Sequence, residues 1–222
     1  MHKNEPIYGG SSVSDLEQWL LARLAEPQAD RGTLQRMLAS FYCETGRYDR
    51  SQAVLEALVS ETNDVEQQAG LLLSLGQVTE KKKDFTTALA VYGRAQALEP
   101  LHPKVRYLIH NNQGYCLIQL ERYEEAETHC RIAIALNPVR HNAHKNLGLA
   151  LAGQNQSVEA VESFVQAVHA NPNDPRALRH LEDLIAQYPH LLTTPPGLTE
   201  KLADCREAVR HATLRRRASR LN

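Results

Sequence analysis

Residues 146–172 read NLGLALAGQNQSVEAVESFVQAVHANP. Apolar side chains recur every three or four residues on either side of a polar break, so the stretch reads as two helices and a short turn. The same layout stands upstream. DFTTALAVYGRAQALEP (84–100) and RYEEAETHCRIAIALNP (122–138) superpose without gaps on QSVEAVESFVQAVHANP (156–172). Ala88, Ala126 and Ala160 coincide, then Tyr92, Cys130 and Phe164, then Ala95, Ala133 and Ala167, then Pro100, Pro138 and Pro172. On the preceding helix Gly76, Gly114 and Gly148 coincide, 38 and then 34 residues apart.

This is the pattern of a helical hairpin. Glycine and alanine let two antiparallel helices approach closely, and the bulky position is expected to fill the space between hairpins. The proline ends the second helix. One hairpin cannot bury its apolar faces alone, so units stack into a solenoid. Residues 103–106 are extra to the 34-residue spacing and amount to about one helical turn. The helix they open is expected to be a turn longer, with Pro103 in its first turn. Asn63 or Asp64 is expected to cap the helix before it.

The pattern resembles the tetratricopeptide repeat (TPR) family, whose motif of about 34 residues runs W-x2-LG-x2-Y, then Ala, an aromatic, Ala and Pro. The resemblance implies an all-α solenoid of helical hairpins, a right-handed superhelix with a capping helix at each end. The expected division is a flexible segment at 1–12, a capping helix at 13–30 and a weak repeat at 32–65. Repeats follow at 69–102, 107–140 and 141–174, then a half repeat at 175–190 and a capping helix with an arginine-rich tail at 195–222. Ser14 and Glu17 have the spacing of a capping box, and Leu16, Trp19, Leu20 and Leu24 form a stripe behind them. After TTPPG (193–197), Leu198, Leu202, Cys205, Val209 and Ala212 form the apolar face of the last helix.

The chain has 222 residues, 42% hydrophobic and 23% charged, with a formal net charge of −1. No global field draws it to nucleic acid or to a membrane. No apolar run approaches the roughly 20 residues of a membrane span, and MHKNEPIYGGSS lacks the apolar core of a secretion signal. Cys43, Cys116, Cys130 and Cys205 form no CxxC pair. They suit free thiols in a reducing compartment, so a cytoplasmic protein is expected.

In the TPR family the first helix of each hairpin lines a concave groove. By that resemblance the groove residues are Gln77, Lys81, Asn111, Asn112, Tyr115, Gln119, Lys145, Asn146, Leu149, Arg176 and Arg179. Asparagine is a poor residue for a helix interior, so Asn111, Asn112 and Asn146 are expected to face the groove and not the core. An amide both donates and accepts, as a peptide backbone does. Asn112 and Asn146 therefore resemble the asparagine ladder of the TPR superhelix of O-linked N-acetylglucosamine transferase. Replacing both is expected to weaken partner binding and barely shift the melting temperature. The carboxylate clamp of chaperone-binding TPR proteins is not matched: its positions fall on Leu73, Gln77, Asn112, Asn142 and Asn146, and only Asn112 agrees.

No P-loop, GxGxxG, HExxH or GxSxG occurs, and no cofactor is expected. His141 and His144 share a helical face near His110, but no further ligand completes a metal set. RHATLRRRASRLN (210–222) holds five arginines and no acid, which suits a solvated helix end; Arg216–Ser219 also resembles a basophilic kinase site. The expected function is non-catalytic: an adaptor or scaffold that binds a peptide segment of another protein, partly acidic, in the concave groove. Two other readings stand beside it: a secretion-type chaperone masking an apolar client segment, and a scaffold that self-associates. Neither membrane nor nucleic acid is an expected partner.

Overall fold

The computed structural model describes residues 13–193 and 197–219. The segment expected to be flexible (1–12), residues 194–196 of the proline-rich break and the last three residues of the tail lie outside these. Among the described residues there are eleven α-helices and no strand. Hairpins are formed by α2 (Arg31–Glu44) with α3 (Tyr48–Glu61), α4 (Val65–Lys81) with α5 (Phe85–Ala97), α6 (Pro103–Gln119) with α7 (Tyr123–Leu136), and α8 (His141–Gly153) with α9 (Ser157–Ala170). They are flanked by α1 (Val13–Leu24), α10 (Arg176–Gln187), a 3-10 turn (Pro189–Leu192) and α11 (Leu198–Ala218). α6 has 17 residues against 13 in α8, and Pro103 stands in its first turn. Asp64 caps α4 by accepting from the Gln67 amide at 2.7 Å.

Each hairpin turns by the same backbone device. After α2, α4, α6 and α8 one residue adopts a left-handed conformation: Gly46, Lys83, Glu121 and Asn155, with φ of 75°, 63°, 58° and 62°. The next amide then reaches back to a carbonyl in the last helical turn: Arg47 to Tyr42, Asp84 to Thr79, Arg122 to Leu117 and Gln156 to Leu151. This is the Schellman closure, which satisfies carbonyls the helix leaves orphaned.

Glycines on the first helices are notches for the bulky residues of the second. A Cβ on Gly76 would meet the Tyr92 ring at 2.3 Å, one on Gly114 the Cys130 sulfur at 2.7 Å, and one on Gly148 the Phe164 ring at 2.6 Å. The bulky position thus fills its own hairpin's notch before it reaches the next unit, a correction to the inter-hairpin role expected of it. It does reach on as well. Phe164 stacks on His180 of α10 at 5.8 Å.

Consecutive first helices (α4, α6, α8, α10) touch one another, whereas α5, α7 and α9 are separated by the first helix of the following hairpin. The first helices therefore lie on the inner side of the curve. At the N-terminal end, Leu16, Leu20 and Leu24 of α1 pack against Leu38, Phe41 and Tyr42. Trp19 is off this stripe and half-exposed, beside Arg23. The capping box expected of Ser14 and Glu17 lies outside the described residues at Ser14; Glu17 accepts from Tyr42, Arg47 and Arg50, pinning α1 to the first hairpin. At the other end, Leu198, Leu202 and Cys205 bury α11 against the core around α9, and Lys201–Glu162 and Arg206–Glu182 ion pairs flank it. No described helix is long and apolar enough to cross a membrane.

An L-residue in the left-handed region costs about 1–2 kcal/mol, part of which glycine returns through its larger loss of backbone freedom. Glu121→Gly should therefore stabilise the protein by about 0.5–1 kcal/mol, measured as a rise in urea midpoint at unchanged slope.

Candidate functional site

The inner face of α4, α6 and α8 carries a run of polar side chains. The Nδ2 of Asn146 donates to the Oδ1 of Asn111 at 3.3 Å. Asn111 donates to Asn112 at 3.0 Å, Asn112 to the Tyr92 hydroxyl at 3.2 Å, and Tyr92 to the Glu80 carboxylate at 3.0 Å. Five side chains from four helices thus form one relay. Its direction is set by the acceptor at its end. A carboxylate only accepts, so the Tyr92 hydroxyl must donate to it and take its own bond from an amide nitrogen. Each asparagine is then oriented in turn. The last one, Asn146, turns its nitrogen inward and leaves its buried Oδ1 without a donor.

Of the three asparagines expected to face the groove, Asn112 lines a cavity on this face, while Asn111 and Asn146 do not and are turned to buried partners. Asn111, Asn112 and Asn146 are only 8%, 9% and 2% exposed. Their amides are spent on one another and on Tyr92, because a polar group this deep must find a partner. That cavity, of about 770 Å3, opens on the same side of the molecule. Arg36, Ser40, Gln67, Ser74, Gln77 and Lys81 line it, and the relay reaches it through Glu80 and Asn112.

The other candidates are scattered along the same face. Tyr115 is half-buried with its ring edge-on to Phe85 at 6.0 Å. Gln119 is exposed at the end of α6. Leu149 packs into the core and offers the groove little apolar surface. Arg176 is exposed and held by Asp174 at 2.6 Å, while Arg179 is exposed and unpaired. Leu73, which replaces a lysine of the chaperone clamp, is buried in the core. Lys145 is 7% exposed, and burial depresses its pKa. Burial likewise pushes the Glu80 carboxyl up, opposed by the Tyr92 hydrogen bond.

Glu80 and Tyr92 are the members of this site that sequence reading missed. The signal was present: Tyr92 occupies the motif's aromatic position yet carries a hydroxyl that needs a partner, and Glu80 lies one turn past Gly76, against which the Tyr92 ring sits. The histidines separate. His141 pairs with Asp174 at 3.1 Å, His144 with the Pro138 carbonyl at 2.7 Å, and His110 with His129 at 3.1 Å. Among the described residues no three His, Cys, Asp or Glu side chains gather as a metal site requires. Burial pushes the Cys116 and Cys130 thiols up to about 12, which leaves them unreactive at neutral pH.

A family model described as tetratricopeptide repeat matches residues 36–105, 84–138 and 111–175. The chain belongs to the tetratricopeptide repeat family. Solved structures agree on the fold. MamA from Desulfovibrio magneticus RS-1 superposes with a TM-score of 0.61 at 20% identity, covering 86% of this chain and 97% of that one. The second TPR domain of human RPAP3, solved in complex with an HSP70 peptide, has a TM-score of 0.50 at 23% identity over 55% of this chain and 98% of that one. Among curated relatives, the protein O-mannosyl-transferase Tmtc2 of Drosophila melanogaster is 29% identical over 99 residues. That match takes 44% of this chain but 11% of the relative, so this chain spans only a small part of that relative's length.

Tyr92→Phe removes the hydrogen bond to a buried carboxylate and should raise the pKa of Glu80 further. A group whose folded pKa is raised holds its proton more tightly in the native state, so stability falls as pH rises from the ordinary carboxylate range to the raised value. The variant should melt close to wild type near pH 4 and progressively below it toward pH 8, a deficit of about 1–3 kcal/mol checked by thermal melts across that range.

Proposed function

We propose that this TPR protein is a non-catalytic interaction scaffold that binds a segment of another protein along its concave face. The observation that carries this reading is the open cavity of about 770 Å3 on the inner helices, lined by apolar side chains interleaved with hydrogen-bonding ones that have no common sign of charge. Such a wall suits a peptide backbone and mixed side chains. The second TPR domain of human RPAP3, which shares the fold and was solved in complex with an HSP70 peptide, supports a peptide segment as the kind of partner.

Ala39, Leu55, Leu71 and Val78 also line the cavity, so a segment carrying an apolar side chain fits it as well and the reading as a chaperone for an apolar client stands beside this one. Ile118 and Leu149 pack into the core between hairpins. The asparagines enter as the framework that fixes the inner helices, with Asn112 alone reaching the cavity. Toward α10 the face carries Lys145 and Arg179, while Arg176 is paired with Asp174, so a segment with an acidic residue at that end fits best. The buried free thiols fit a reducing cytoplasm.

Arginines at two half-buried cavity positions would fill the groove without touching the core. Ser74→Arg/Gln77→Arg should lose the partners that wild type captures from lysate, while Arg210→Ala/Arg217→Ala on α11 should retain them, each fold checked by circular dichroism. Equal capture by the groove variant would refute binding on this face. If instead wild type gains mass with concentration in sedimentation and the groove variant does not, the bound segment belongs to a second copy of the chain.

A further inference from the structure

Lys145 sits in the middle of α8 with 7% of its surface exposed, yet among the described residues its ammonium has no hydrogen-bond or ion-pair partner. The nitrogen itself is not enclosed: the stem is packed among the helices and the charge at its tip stays open to solvent, as long cationic side chains arrange themselves. The groups that feel it lie on several helices: Glu80 of α4, Cys130 of α7, and Asp174 and Arg176 at the start of α10. None of them serves it. Asp174 is held by Arg176 and His141. Glu80 takes the Tyr92 hydroxyl and lies beyond ion-pair distance. The Cys130 thiol is protonated at neutral pH, being pushed up to about 12. His180, which also feels Lys145, has its pKa lowered by burial and by the surrounding cations.

The neighbouring charges are therefore committed, and Lys145 keeps three donors and one positive charge on the inner face. We propose that Lys145 is a specificity residue of the groove: it receives the side-chain carboxylate of one Asp or Glu inside the bound segment. The proposal rests on the groove reading above and adds the chemistry of one subsite. One ammonium calls for a singly charged acceptor, since Arg176, the next cation along, is already neutralised by Asp174. The bond is charge-assisted on both sides, which makes it strong and selective. In the free protein Lys145 contributes a packed stem and a charge open to solvent, so Lys145→Met, which keeps an apolar stem of similar length, is expected to fold as wild type does.

The test uses short random peptides displayed on phage and selected on wild type, Lys145→Met and Ser74→Arg/Gln77→Arg. The preferred sequence is then made as a C-terminally amidated peptide with Glu or Gln at the selected acidic position. The proposal expects one shared acidic position on wild type and roughly tenfold or greater loss of affinity on Glu→Gln. It also expects equal affinity of the two peptides for Lys145→Met, and a melting temperature of Lys145→Met no lower than that of wild type. Glu and Gln peptides binding wild type equally would overturn it, as would an acidic preference that survives in Lys145→Met. So would binding that needs a free C-terminal carboxylate in place of an internal acid. A different result marks failure of the groove itself: no peptide selected by wild type, or the same peptides selected by Ser74→Arg/Gln77→Arg.

Discussion

The relay from Asn146 through Asn111, Asn112 and Tyr92 to Glu80 is the interaction on which the inner face depends. Apolar packing joins first helix to second helix and hairpin to hairpin, but it is tolerant of small shifts. Hydrogen bonds between amides are not. The relay crosses from α8 to α6, then to Tyr92 of α5, and ends on α4. It therefore fixes how three successive first helices sit beside one another, and with them the width of the groove. Because the chain ends on a carboxylate, every amide in it has one favourable orientation.

The glycine notches make the relay possible. Gly76 lets the Tyr92 ring lie against α4, which carries its hydroxyl to Glu80 on the same helix and to Asn112 on the next hairpin. At the two later notches the residues are Cys130 and Phe164, which carry no hydroxyl. The relay is thus anchored at one hairpin; the later units add separate contacts such as Gln154 to Glu127 and His141 to Asp174. Lys145 stands just beyond its far end, where the polar face is least satisfied: its neighbour Asn146 has an amide oxygen with no donor.

The hairpins were legible in the sequence because their determinants are identities at fixed spacing. Gly148, Ala160, Phe164 and Pro172 each need a particular size or shape, so they recur and can be aligned. The turns were not legible in the same way. Lys83, Glu121 and Asn155 share a left-handed conformation that no common side chain announces; the helix end imposes it through a backbone hydrogen bond. The asparagines divide: Asn112 borders the cavity, as its position in the repeat suggests, while Asn111 and Asn146 are turned to buried partners. Helical propensity marks Asn111 and Asn112 as residues that want partners beyond the helix, but it does not distinguish a ligand from another buried side chain. Deciding between them needed the position of Tyr92, which lies twenty residues away in the chain. Lys145 reads as an ordinary groove cation in sequence, and its lack of a partner is visible once its neighbours are in place.

The most direct measurement is a double-mutant cycle on unfolding free energy, with Asn112→Ala, Asn146→Ala and the pair. The two side chains do not touch; Asn111 connects them. A single relay predicts that each substitution costs about 1–3 kcal/mol and that the pair departs from additivity by about 0.5 kcal/mol or more. Single substitutions within about 0.5 kcal/mol of wild type, adding without coupling, would contradict it and return the asparagines to the solvated surface of the groove.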